Sequence, residues 1–392
     1  MAGTASKVLE IREAMPAVTR HVYLNTGTYG PLPQVAVEAM RAVQDEELAD
    51  GRIVPERSQR AAEIKQQARE EVARLLGCSA HNIALTRHTT DGMNLAVMGL
   101  NWQPGDEIVT TDMEHPGGQG PVFNVVRRYG VVVRTARLGD GSGDVAGAIA
   151  RLLTRRTRMV VLSHLTWNTG AVLPLEDVVD LAHREGILVA VDGAQSAGSI
   201  PVDVTALGVD VYAIPGQKWL CGPEGTGAVY VSDAAMDVLN LTVVGYASLA
   251  MGGLEITGGY LLPKATAERF EAGGVNLPAI AGQAASLAWI REFVGYEWAY
   301  RRIAELGQYA WQSLSEVRGV TVLTPRDRMA GLVSFTVEGI DPPTLVQKLW
   351  ERNIIIRSIP HPPCARLSAG FYNNEEDIDR LVRAIAEICR EL

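Results

Sequence analysis

Ala213 to Gly227 reads AIPGQKWLCGPEGTG, and it sets Lys218 between an apolar run, Val209 to Ile214, and a loop rich in glycine and proline. A short apolar run bounded by such a loop is the pattern of a buried strand. The lysine is therefore expected past a strand's carboxyl end, where open α/β sheets collect their ligands. Most loop lysines are simply solvated. This one has a counterpart upstream in VDGAQSAG, Val191 to Gly198, where the apolar run Ile187 to Val191 ends in Asp192 and Gln195 follows. A lysine and a carboxylate delivered by two strand ends are what pyridoxal phosphate requires, an amine for a Schiff base and an anion to keep the pyridine nitrogen protonated.

Further strands are predicted at Ile83 to Leu85, Glu107 to Thr111, Val131 to Leu138, Arg158 to Ser163 and Gly227 to Val231, with helical spacing between them. Alternation of this kind implies right-handed crossovers and a mostly parallel sheet. Helices are expected over 34–50 and 58–76, the second opening at Ser58 and stopping at Gly77. The first strand runs into TRHTTDGMN, where Thr89 and Thr90 open a helix, and free N–H groups with hydroxyls at such a junction suit an anion. His115 follows the second strand, in DMEHPGG. Glycines between Gly245 and Gly259 obscure any element there. From residue 266 onward, short strands at Val320 to Leu323, Leu332 to Val337, Ile354 to Ile356 and Arg366 to Ala369, closed by a helix from Glu375, indicate an α+β unit.

These stretches, taken in order, resemble the class V aminotransferase family, which includes cysteine desulfurases, selenocysteine lyases and isopenicillin N epimerase-like enzymes. The likeness runs from about Tyr23 to the C-terminus. It implies a fold type I pyridoxal-phosphate enzyme: an α/β domain with a mostly parallel seven-stranded sheet over 25–265, a smaller α+β domain over 266–392, and an arm, 1–24, packed on the small domain. It also implies a homodimer. By resemblance Lys218 carries the cofactor, Asp192 faces its ring nitrogen, Gln195 bonds its phenolic oxygen and His115 stacks on its face. Thr89, Thr90 and Gln217 would hold the phosphate. Arg366, in ARLSAGFYNNEEDIDRL, would clamp the substrate carboxylate, with Arg357 beside it, and Gly27 and Tyr29 would cover the substrate end.

The chain departs from that pattern at several places. Trp167 stands where the family carries an asparagine that contacts the cofactor's phenolic oxygen, and Asn168, one position displaced, is the residue expected to bind the cofactor in its place. Pro215 and Gln217 replace the usual serine and histidine before Lys218, and Gly274 replaces a threonine that reaches the neighbouring subunit's phosphate, leaving the backbone N–H groups of Gly273 and Gly274 as substitutes. Chemistry at the α-carbon of an amino acid is expected. Transamination or epimerisation comes first, a cysteine desulfurase or carbon–sulfur lyase second, and cofactor binding without turnover third. Cys364, two residues before Arg366, follows two prolines that restrict the swing a sulfur-carrying cysteine needs.

Composition narrows the field further. The 392 residues are 47% hydrophobic and 21% charged, ordinary for a globular chain of about two domains. A formal net charge of −9 argues against a nucleic-acid partner, and Arg155, Arg156 and Arg158 form only a short basic cluster. Four cysteines without CxxC spacing give neither a metal site nor a disulfide framework, which fits a reducing cytoplasm. No apolar run has the length of a membrane span.

Overall fold

The structure, a computed structural model, describes residues 2–391. Its centre is a seven-stranded sheet made of β1 (Ile83–Thr86), β2 (Glu107–Thr111), β3 (Val132–Ala136), β4 (Thr157–Ser163), β5 (Leu188–Asp192), β6 (Val211–Pro215) and β7 (Gly227–Val231). The strands lie in the order β1-β7-β6-β5-β4-β2-β3. All neighbours are parallel except that β7 runs antiparallel to both β1 and β6.

Alternating side chains feed two cores. Val109, Val160, Val189, Val191 and Ile214 pack on one face with the helices Val145–Ala150 and Leu175–Arg184. Ile108, Met159, Val161, Ala190 and Ala213 pack on the other with Thr89–Met98 and Pro116–Tyr129. Because both faces are covered, β5, β6 and β7 read as nearly continuous apolar runs.

Gln34–Asp50 and Pro55–Leu76 form long helices as the spacing predicts, but the second starts earlier than expected. Pro55 occupies its first turn, where the missing N–H costs nothing, so Ser58 lies inside the helix rather than capping it. Gly77, with φ +68°, ends it in the left-handed conformation that glycine accepts without strain.

The C-terminal unit holds an antiparallel sheet of β8 (Val320–Val322), β9 (Leu332–Val337), β10 (Arg357–Pro360) and β11 (Pro363–Ser368), ordered β8-β9-β11-β10. Helices Tyr296–Ser315, Pro342–Trp350 and Glu375–Glu391 cover it. Two sequence expectations change here. Arg357 opens a strand rather than closing one, because Ile354–Ile355 pairs instead with Val22–Tyr23. Residues 266–289, read from sequence as part of this unit, pack on the large one: Ala267 joins a core of the central sheet, and Leu277, Ile280 and Ala284 join Val43, Ile64, Ala68 and Leu85.

Residues near the N-terminus bridge the two units. Ile11, Met15 and Val18 pack with Trp219 and Cys221 on one side and with Ile303, Leu332, Phe371 and Tyr372 on the other. Arg12 is ion-paired to Asp377 at 2.8 Å. Among the described residues no helix is long and apolar enough to cross a membrane.

Candidate active site

Four strand ends of the large sheet converge on one cavity of about 440 Å³, lined by Thr28, Tyr29, Thr89, Thr90, His115, Asp192, Gln217, Lys218 and Arg357, together with His88, Gly117, Ala194 and Pro215. Thr89 and Thr90 follow β1, His115 follows β2, Asp192 ends β5 and Lys218 follows β6. A loop from the N-terminal side closes the top. Gly30 N–H donates to Gln217 O at 2.7 Å, and a Cβ on Gly30 would sit 2.1 Å from Lys218 O, so only glycine lets the two backbones approach this closely.

Burial shifts the ionisable groups of the cavity, and neighbouring charges add to or oppose it. Desolvation lowers the Lys218 amine to about 8, the Asp192 carboxylate acting against that shift and the guanidinium groups of Arg366 and Arg357 with it. Asp192 is raised from the ordinary aspartate range by burial, with Lys218 opposing, and its Oδ1 accepts the Ala194 N–H at 2.9 Å. His115 is lowered to about 4 by burial and then by Lys218, Arg357 and Arg366, so the ring is neutral near pH 7. Its Nδ1 accepts the Gly117 N–H at 3.0 Å, which leaves the proton on Nε2. The ring stands edge-on to Trp167, centroids 4.8 Å apart at 87°.

At the other end of the cavity the small sheet brings Arg357 to the lining, with the guanidinium of Arg366 buried behind it. Arg357 and Arg366 face each other across β10 and β11. Like charges directly opposed on adjacent strands are unfavourable unless something neutralises them. Neither is within ion-pair distance of a carboxylate among the described residues. Arg366 is wholly buried; it donates to Trp167 O at 2.6 Å and to Thr28 Oγ1 at 3.4 Å, while its Nε has no partner. Arg357 shares the same Thr28 hydroxyl at 3.4 Å and lies over the Trp167 ring at 5.7 Å. Gly27 is wedged beside them, a Cβ there falling 3.2 Å from Arg366 Nη2. Tyr29, at the mouth, donates to Glu224 at 2.8 Å.

Three expected site residues are placed differently. Asn168 turns away from the cavity, donating to His361 O at 3.2 Å and accepting from Thr169 N at 2.9 Å, as a one-residue displacement along an extended segment requires. Gln195 lies behind the wall formed by Ala194. Its amide donates to Gly27 O at 2.8 Å and accepts from Trp219 Nε1 at 2.9 Å, tying the loop over the site to the lysine segment and leaving one N–H free. Gly274 is exposed beside Tyr246 and is not part of the cavity within one chain.

Sequence reasoning passed over His88, Thr28 and Glu114. The first two were legible as immediate neighbours of Thr89 and Gly27. Glu114 carried no signal, since its environment is made by tertiary contact: Thr111 and Ser163 hydroxyls each donate to it at 2.6 Å, and burial pushes it up to about 7.

Pyridoxal phosphate fits this arrangement. The hydroxyl of Thr89, buried and without a partner, lies on the cavity where the helix Thr89–Met98 begins. A phosphate placed there would meet a helix N-terminus, leaving Asp192 and Lys218 on the same cavity for the ring.

The comparisons agree with that fit. The profile of the Aminotransferase class-V family matches residues 22–381. A probable cysteine desulfurase of Methanothermobacter thermautotrophicus is 30% identical, with 97% of each chain covered. The isopenicillin N epimerase of Streptomyces clavuligerus is 31% identical over 94% of this chain and 95% of its own length. Among solved structures, the cystine C–S lyase C-DES in complex with its reaction product, cysteine persulfide, superposes with a TM-score of 0.91 at 34% identity, covering 95% of this chain and 99% of that one. The chain belongs to the class V aminotransferase family and is a pyridoxal-phosphate-dependent enzyme.

Proposed function

We propose that the enzyme is a carbon–sulfur lyase that cleaves the Cβ–S bond of a cystine-like amino acid by β-elimination, without a cysteine nucleophile. The observation that carries this reading is the pair of guanidinium groups, Arg357 and Arg366, facing each other with no carboxylate partner. Cystine brings two α-carboxylates, one for each arginine, and planar guanidinium forks suit carboxylates. Cysteine desulfurases and a cystine lyase among the relatives support the reaction class over the transamination or epimerisation placed first from sequence.

When bound, pyridoxal phosphate supplies an electron sink for chemistry at the amino acid's α-carbon. Lys218, with a pKa near 8, offers a neutral amine in reach of physiological pH to take the α-proton. Asp192 would face the ring nitrogen and keep it protonated. His115, neutral, would stand against the ring, while Thr89, Thr90 and Gln217 would hold the phosphate and Arg366 would fix the α-carboxylate. Loss of the proton from Cα and of the sulfur from Cβ leaves, after hydrolysis, pyruvate, ammonia and a cysteine persulfide.

Cys364 is poorly placed to be a sulfur acceptor. It lies within β11, buried against Trp167 and Ile359, in a hairpin whose turn is only His361 and Pro362, and burial pushes its thiol up to about 11. A thiol that stays protonated is a weak nucleophile.

A homodimer is part of the proposal. The antiparallel hairpin Leu249–Glu255 and Tyr260–Pro263 exposes Met251, Leu254, Tyr260, Leu261 and Leu262, an apolar surface that a monomer would leave in water. Gly274 is exposed beside Tyr246, and in the proposed dimer its backbone N–H would meet the partner's phosphate.

The test is to incubate the enzyme with L-cystine, L-cysteine and L-alanine and to follow pyruvate, ammonia and the chirality of recovered alanine. Pyruvate and ammonia in equal amounts from cystine support the proposal. Racemised alanine without pyruvate from cystine would make it an epimerase.

A further inference from the structure

The end of the cavity where the helix Thr89–Met98 begins offers the hydroxyls of Thr89 and Thr90 and the helix's free N–H groups. Pro215, on the wall beside Lys218, has neither a hydroxyl nor a backbone N–H to give. Gly274 offers no side chain. Among the described residues that line the cavity, His88 is the ionisable side chain adjacent to Thr89, while His115 stands near Thr90 and its Nδ1 is taken by the Gly117 N–H.

His88 precedes Thr89 and caps the ten-residue helix Thr89–Met98. Its Nδ1 accepts the Asp91 N–H at 3.3 Å, which in the neutral ring places the proton on Nε2. That N–H is uncommitted. Asp91 Oδ1 lies 3.9 Å away, beyond hydrogen-bond reach, and the Asp91 carboxylate is held by Arg87, whose Nε and Nη2 donate to it at 2.8 Å. Arg87 and Asp91 neutralise each other, so neither supplies charge to the cavity. Next to His88 the Thr89 hydroxyl is nine-tenths buried and without a partner, and it too lines the cavity.

We propose that His88 is a ligand of the cofactor phosphate, donating Nε2–H to a phosphate oxygen beside the Thr89 hydroxyl. The inference rests on the phosphate lying at the Thr89–Thr90 end. A single side chain then does two jobs, its Nδ1 capping the helix and its Nε2 binding the anion that the helix N-terminus attracts.

Apo-enzyme titrated with pyridoxal phosphate and, separately, with pyridoxal tests this by equilibrium absorbance, with the 31P resonance of the bound phosphate as a second readout. Substitution by serine keeps a side-chain acceptor for the Asp91 N–H but is too short to reach the phosphate. His88→Ser is expected to weaken pyridoxal phosphate about 10-fold, the scale of one hydrogen bond to a charged group, to shift the 31P resonance and to leave pyridoxal affinity unchanged. Thr90→Val is the companion variant and should show the same selectivity. If Thr90→Val discriminates between the two ligands and His88→Ser does not, the histidine is no ligand. If neither discriminates, the phosphate lies elsewhere and the proposal falls with that placement. Equal loss of both ligands in His88→Ser would reduce the residue to a helix cap and overturn it too.

Discussion

Two buried arginines of this protein have opposite surroundings. Arg69, on the helix Pro55–Leu76, is 4% exposed and donates to Glu271 at 2.8, 2.9 and 3.2 Å, while Glu271 also accepts the Leu85 N–H. Arg366, on β11, is 0% exposed and has a carbonyl, a long contact to a threonine and an orphaned Nε. A buried charge is tolerated when it is paired and hydrogen-bonded, and is costly otherwise. Arg69 is therefore explained by folding. Arg366 is not, and its cost is offset only when a ligand brings the missing anion.

Exchanging both arginines for glutamine separates the two cases. Arg366→Gln should lower affinity for the amino-acid substrate by on the order of 100-fold while leaving thermal stability unchanged or raised, because it removes an uncompensated charge. Arg69→Gln should do the reverse: it strands Glu271 in the interior and costs about 3 kcal/mol in a denaturant titration, with substrate affinity retained in the folded fraction. If Arg366→Gln unfolds the protein and Arg69→Gln does not, the contrast fails.

A smaller effect is expected from a second pair, the carboxyls of Glu107, buried, and Glu114, partly buried. Arg134 and Thr154 hold Glu107 down to about 2, whereas burial without a cation holds Glu114 up to about 7. A carboxyl that binds its proton more tightly folded than unfolded contributes its stability fully below about pH 4.5 and loses it as pH rises through 7. Glutamine does not titrate. Glu114→Gln should therefore gain stability relative to wild type between pH 5 and pH 8, by on the order of 1 kcal/mol, in melts at the two pH values. A difference that does not change with pH would mean that Glu114 is ionised and satisfied by Ser163 and Thr111.

The central sheet was readable from sequence because its signal is local: apolar runs of strand length, separated by helical spacing and ending in Asp192 or leading to Lys218, name both the elements and the edge they serve. Thr89, Thr90, His115 and Gln217 follow from the same logic, each lying just past a strand end. What depended on pairing was not readable. Arg357 faces Arg366 through the register of a hairpin, and Ile354 leaves that hairpin to pair with Val22, neither of which alternation in one strand can reveal. Gln195 and Asn168 carry the right chemistry at plausible spacing, yet contacts from distant segments, Gly27 and Trp219 in one case and His361 in the other, decide where their amides point. The hairpin at 249–263 was hidden for a further reason: its apolar residues face outward, so no buried face gives it a pattern.

The central claim is that carbon–sulfur cleavage here needs Lys218 and the two arginines but no thiol of the enzyme. Product analysis with wild type and Cys364→Ser, each supplied with L-cystine and L-cysteine, tests it most directly. The account predicts pyruvate and ammonia from cystine at closely similar rates in both proteins, with no sulfur left on the enzyme. Alanine as the product from cysteine, with a persulfide on wild type and both lost in Cys364→Ser, would contradict it.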